Sequence, residues 1–168
     1  LLKVTIAGDK ALTIVGDIVF NKVGDNNAAT TADNGAATLT VTSTAAVTVG
    51  ALNTQDNDVT SLTVSNTGGG TLSATIDAGQ IDAADALTFT GSNIALTMVG
   101  AVDLSDDITT GVSVIKVVEG GVLTLSYPQL QSLGAANLSV IDGPDGGTVI
   151  GNATLNINGY TGGAFNTT

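Results

Sequence analysis

The chain has 168 residues, enough for one domain with its own core, and 43% of them are hydrophobic although it holds only two Tyr, three Phe and no Trp. Four Lys, no Arg and no His face fifteen acids, a net charge of −11, which excludes ordinary nucleic-acid binding and removes the usual general base, imidazole metal ligand and arginine clamp. Without Cys there is no disulfide framework, zinc–thiolate site or cysteine nucleophile.

The first segment, "LLKVTIAGDK", has apolar residues at Leu1, Leu2, Val4 and Ile6 but neither the long apolar run nor the cleavage region of a signal peptide, which reads as a mature chain or an excised piece. "ALTIVGDIVF" at 11–20 is too short, and too acidic in its middle, to span a bilayer. It contains Leu12-Thr13-Ile14, an apolar–hydroxyl–apolar triplet that returns as Leu39-Thr40-Val41, Leu62-Thr63-Val64, Leu87-Thr88-Phe89, Val112-Ser113-Val114 and Leu138-Ser139-Val140. The intervals are 27, 23, 25, 25 and 26 residues. Between the first two copies, residues 20–37 are polar and aperiodic, which predicts a long loop.

Alternation with period two makes each triplet a strand with its apolar residues on one face. Second strands follow at Val47-Thr48-Val49, Leu72-Ser73-Ala74, Leu96-Thr97-Met98 and Leu123-Thr124-Leu125, and weaker third pieces at Ile76 and Ile81, Val102 and Leu104, and Leu155 and Ile157. Gly68, Gly69 and Gly70 supply a turn between two such strands. Three short strands per ~25 residues predict a parallel β-solenoid of about six coils in a single domain. Its narrow interior accounts for the shortage of rings, and its inward column would hold Leu39, Leu62, Leu87 and Leu138. The alternative is a β-sandwich, which also spaces strands closely but gives no reason for one triplet to return every 25 residues. Toward the end, "SYPQLQSLG" at 126–134 offers Pro128 to start and Gly134 to stop a short helical turn, with Leu130 and Leu133 facing inward.

Two surface patterns carry candidate chemistry. In-register stacking would place Thr40, Thr63, Thr88 and Ser113 in a hydroxyl ladder, a face for a glycan or ice, or simply an exposed surface rich in β-formers. The acids gather 15 to 23 residues after each triplet, and stacking would bring Asp82, Asp85, Asp103, Asp106 and Asp107 together at one corner. Like charges ~5 Å apart cost about 0.8 kcal/mol in bulk water and roughly 3 kcal/mol at an effective dielectric of 20. A hard cation with oxygen ligands removes that cost, so Ca²⁺ is the expected cofactor; a solvated acidic ridge is the plainer reading. Catalysis is not expected, because Asp103 and Asp106 could pose as a glycosidase pair but lack a sugar-stacking aromatic nearby. "NLS" at 137–139, "NAT" at 152–154 and "NTT" at 166–168 match the N-glycosylation pattern, which arises easily in so Asn- and Thr-rich a chain.

"DVTSLTVSNTGGGTLSATIDA" and "LTLSYPQLQSLGAANLSVIDG" resemble the repetitive portions of bacterial S-layer proteins and type I-secreted adhesins. The resemblance implies an extracellular, self-associating surface protein that often binds calcium, although the GGxGxDxUx nonapeptide is absent in intact form. The expected function is therefore structural: an S-layer, filament or adhesin-stalk module without enzymatic activity. Solenoid ends need polar caps to stay soluble. Here Leu1, Leu2, Val4, Ile6 and Phe165 leave both ends apolar, so docking to another copy, or to further coils of a longer chain, is expected. No nucleic-acid or membrane-spanning role is expected.

Overall fold

The computed structural model describes residues 3–20, 35–54, 59–81, 85–142 and 152–161, and these form a β-rich chain of parallel sheets with one short α-helix. The chain runs in six successive passes. The first carries β1 (Lys3–Ile6), β2 (Leu12–Thr13) and β3 (Ile18–Val19); the second, β4 (Gly35–Val41) and β5 (Val47–Asn53). The third carries β6 (Val59–Asn66) and β7 (Leu72–Asp77), and the fourth β8 (Ala86–Gly91), β9 (Ile94–Val99) and β10 (Ala101–Asp103). The fifth carries β11 (Val112–Val118) and β12 (Val122–Ser126). In the sixth, α1 (Tyr127–Leu133) and a 3-10 turn precede β13 (Leu138–Ile141) and β14 (Thr154–Asn158).

Every strand pair among the described residues is parallel, and each strand pairs with its counterpart on a neighbouring pass. The antiparallel hairpins from which a sandwich is usually built do not occur among these pairs. One sheet has the order β1-β4-β6-β8, a second β2-β5-β7-β9-β11-β13 with β3 also on β5, and a third β10-β12-β14; none closes on itself. Outside these ladders, further backbone bonds link one pass to another: Phe20 N–H to Asn53 O (2.8 Å), Thr54 N–H to Gln80 O (2.8 Å) and Ala78 N–H to Val99 O (3.0 Å).

The alternation that makes these strands also fills the core. In β4, Ala37, Leu39 and Val41 point inward, and in β6 Leu62 and Val64 do the same; all five are buried. Each Leu, Val or Phe fully removed from water contributes about 1.5–3 kcal/mol before chain entropy is charged. Phe20 and Phe89 are the largest fully buried side chains, and the rest of the core is mostly Leu, Val and Ile. Backbones meet closely at the corners. A Cβ on Gly91 (φ +94°) would lie 2.0 Å from Asn66 O of the previous pass, and one on Gly70 2.1 Å from Ala45 O. Beside Gly91, the fully buried Asn66 donates through Nδ2 to Gly70 O (2.8 Å) and Ser92 O (2.7 Å), tying a turn of its own pass to the next pass.

Several details differ from the sequence reading. The column of Leu39, Leu62, Leu87 and Leu138 does not form as a unit. Leu62 pairs with Leu87, but Leu39 pairs with Val64, Ala37 takes the place beside Leu62, and Leu138 pairs with Ile115 in another sheet. The 23-residue interval between Leu39 and Leu62 is the reason: the backbone holds a 25-residue step here, so the triplets slide by one inward position. The triplets at 12, 112 and 138 belong to the second sheet, and Leu123-Thr124-Leu125 to the third. Ile115, which the alternation turns outward, is buried because an irregularity between Val112 and Val114 resets the alternation. The loop expected at 20–37 falls mainly outside the described residues, but Phe20 is fully buried and Gly35 already begins β4.

The short helix expected at 126–134 is α1, with Leu130 and Leu133 buried and Gly134 at φ +77° ending it. Gln129 fixes it in place. Its Oε1 accepts the Ser126 N–H (2.6 Å), while Nε2 donates to Leu104 O (2.6 Å) and Asp107 O (2.9 Å).

Candidate functional site

Three features of this scaffold bear on function. The first is the outer face of the β1-β4-β6-β8 sheet. Its register generates two rows, Lys3–Thr38–Thr63–Thr88 and Thr5–Thr40–Ser65–Thr90. Neighbours within a row are ~4.8 Å apart, and the rows are separated by a two-residue step of roughly 6.6 Å. All six hydroxyl residues of β4, β6 and β8 in these rows are half-exposed. Thr63 and Thr88 therefore share a row, whereas Thr40 stands in the next one. Ser113 is not on this face: it lies in the second sheet, where its hydroxyl donates to Ile94 O at 3.2 Å. Thr38, Ser65 and Thr90 share this outer face by alternation; strand register assigns each to its row, which the triplet spacing alone misaligns.

The second feature is the acidic corner. Asp82 lies outside the described residues. Asp85 accepts the Thr54 hydroxyl (2.5 Å), and Asp103 Oδ1 accepts the Ser105 N–H two residues on (2.9 Å). Asp107 Oδ1 accepts the Leu87 N–H (2.8 Å), and Asp106 is exposed. Burial pushes the Asp107 carboxyl above its ordinary value; the Leu87 bond opposes this, and the nearby charges of Asp103 and Asp106 add to it. A surface hollow of about 120 Å³ lies beside this corner, walled by Ile76, Ile81, Leu87 and Val102 with Asp85 and Asp103 at its polar margin. Calcium takes six to eight oxygen ligands around one point. Among the described residues, no group of three or more His, Cys, Asp or Glu stands close enough to hold a metal ion. Asp85, Asp103 and Asp107 each accept a bond from the protein itself.

The third feature is the pair of stack ends. Leu1, Leu2 and Phe165 lie outside the described residues. Ile6 is a core residue at 7% exposure and Val4 packs against that core, so neither is the free docking surface the sequence suggested. The large apolar side chains exposed among the described residues of the first pass are Leu12, Val15 and Val19, at 42%, 94% and 52%. The alternation turns Val15 outward, whereas Leu12 stands in register with the buried Val47. No helix among the described residues is long and apolar enough to cross a membrane. No protein-family model, curated protein or solved structure matches the chain.

Proposed function

We propose that the chain is a β-solenoid module of an extracellular structural protein, of the S-layer, filament or adhesin-stalk kind, that works by self-association and not by catalysis. The observation that carries this reading is the pairing pattern: parallel ladders link all six passes, while among the described residues the strands of the first and last passes are paired on one side only. A parallel stack has no internal reason to stop. Free backbone donors and acceptors at its two ends are templates for another strand, whether from a second copy or from further coils of a longer chain. The Cys-free, acidic composition suits an extracellular setting. Calcium enters this proposal through charge alone, as a counter-ion to the ridge that includes Asp103, Asp106 and Asp107.

A second reading is favoured by one observation, the two-row hydroxyl face. There the chain would be a binding module for a repetitive ligand, a glycan or ice, engaging Thr38, Thr63 and Thr88 together. Negative-stain imaging and sedimentation of the purified chain, with calcium and with chelator, separate the two. Self-association predicts elongated assemblies that survive replacement of Thr40, Thr63 and Thr88 by Val. A monomer at all concentrations, in both conditions, would overturn it.

A further inference from the structure

We propose that the hydroxyl grid on β4, β6 and β8 is a binding face for ice. This rests on the binding-module reading and commits it to one ligand, the crystalline lattice of water.

Three observations set the grid apart from the other outer faces. First, it is uninterrupted. From Ala36 onward β4 holds its register with β6, and β6 with β8, so Thr38, Thr63 and Thr88 stand in one row and Thr40, Ser65 and Thr90 in the next. In the second sheet the outer positions run Ser73–Ala95–Val114 and Thr75–Thr97–Lys116, and register irregularities fall within β5 and β11. The third sheet offers Asp103–Thr124–Asn156. Second, the grid is level and uncharged, in a chain of net charge −11. Its side chains are all Thr or Ser, so none projects past its neighbours. Lys3 and the 52% exposed Ile108, which pairs with Thr88, bound the first row on its two sides. Third, none of the six hydroxyls bonds to another described residue. By contrast, Thr42, Thr110 and Ser113, outside the grid, donate to Ile6 O, Phe89 O and Ile94 O.

These properties select the ligand. A hydroxyl that exchanges water for another partner gains little net, so six such contacts hold a ligand that meets all of them at once. A ligand that repeats in two directions does so, which means a crystal surface and not a single molecule. An uncharged grid suits a neutral, hydrogen-bonding crystal, either ordered polysaccharide or ice. Sugar rings present apolar faces that stack on aromatics, and the two rows contain no aromatic side chain. Ice asks for donors and acceptors at its own spacing. Tetrahedrally bonded waters ~2.75 Å apart put second-neighbour oxygens ~4.5 Å apart, and along the axis of hexagonal ice the pattern recurs every ~7.3 Å. The grid offers ~4.8 Å along a row and roughly 6.6 Å between rows, a mismatch of ~0.6 Å over three strands and ~0.7 Å over the step between rows. Displacements of that size lie within the ordinary thermal excursion of a side chain, ~0.5–0.9 Å.

The test uses the full chain. Thermal hysteresis and partitioning into slowly grown ice report on ice, and co-sedimentation with crystalline cellulose and chitin reports on polysaccharide. Thr63→Lys raises a long charged side chain in the middle of the grid, Thr88→Lys repeats this on the next strand, and Thr48→Lys does the same on the outer face of the second sheet. Circular dichroism and thermal melting check that each variant keeps the fold. The parent chain should show hysteresis and enter the ice. Thr63→Lys and Thr88→Lys should each lower the hysteresis roughly tenfold or more, the effect of about one lost contact, while Thr48→Lys leaves it unchanged. If the parent sediments with cellulose or chitin and leaves ice growth unaltered, the ice assignment is wrong while the binding module stands. If it affects neither ice nor polysaccharide, both fail. Hysteresis in folded Thr63→Lys and Thr88→Lys equal to the parent's would remove the grid as the site.

Discussion

Gly91→Ala is the perturbation that most directly probes how tightly the passes stack, with Gly69→Ala as its partner. Both glycines have positive φ, +94° and +90°, so each alanine incurs backbone strain of order 1–3 kcal/mol. Their surroundings differ. Nothing lies within 4 Å of a Cβ at Gly69, whereas a Cβ at Gly91 would meet the Asn66 carbonyl oxygen at 2.0 Å. That oxygen belongs to backbone already bonded to the Ser92 N–H at 3.0 Å, so it cannot rotate away as a side chain would. Relief requires the third and fourth passes to separate locally, an overpacking cost of about 1–3 kcal/mol beyond the shared strain. At roughly 2–4 °C per kcal/mol for a chain of this size, Gly91→Ala should melt about 2–12 °C below Gly69→Ala. Paired thermal and urea melts of the two variants measure this. Equal stability of the two would refute backbone contact between these passes, whatever the absolute values.

Three further outcomes follow from the same coordinates. Asn66→Ala, which strips the Gly70 and Ser92 carbonyls of a buried donor, should cost about 2–4 kcal/mol in a denaturant melt. Leu62→Asp places an unpaired carboxylate at a fully buried position beside Leu87 and should yield an unfolded chain by circular dichroism. Asp107 has its folded-state pKa raised, chiefly by burial, so its contribution to stability is fully present below the ordinary value of 3.8 and is lost as pH rises through the raised value. Asp107→Asn keeps an acceptor for the Leu87 N–H and removes the charge; it should raise the melting temperature at pH 7 and have no such advantage below pH 3.8.

The sequence pattern carried the strands further than it carried their neighbours. Alternation identified the inward residues of β4, β6 and β8 because one face of each is buried and a one-residue slip would expose the whole set. Pairing partners were less legible. A slip of two residues keeps the apolar face inward, so hydrophobicity does not distinguish Leu39 beside Leu62 from Leu39 beside Val64. Corner geometry decides it, through contacts such as Gly70 against Ala45 that no composition reveals. The irregularity after Val112 was equally silent, since Val112-Ser113-Val114 looks like its five relatives. For the acids, clustering along the chain was visible, but not that Thr54, Ser105 and Leu87 would engage three of the carboxylates. Of the apolar residues expected at the ends, Leu1, Leu2 and Phe165 lie outside the described residues, Ile6 is buried and Val4 packs on the core, because the alternation of β1 turns both inward.

The parallel register of successive passes is the claim on which the hydroxyl rows depend, and a pair of engineered cysteines tests it across β4 and β6, where the step is 25 residues. The chain has no native Cys, so any disulfide formed is the engineered one. Thr38 pairs with Thr63 across β4 and β6, with strands ~4.8 Å apart, inside the Cα range a disulfide spans. Thr40, the partner suggested by aligning the triplets, is displaced from Thr63 by a further two residues, roughly 8 Å in all and beyond that range. Mild oxidation of the monomeric double variants, followed by non-reducing mass spectrometry, should link Thr38→Cys to Thr63→Cys and leave the Thr40→Cys/Thr63→Cys pair reduced. Closure of the second pair and not the first would contradict the register.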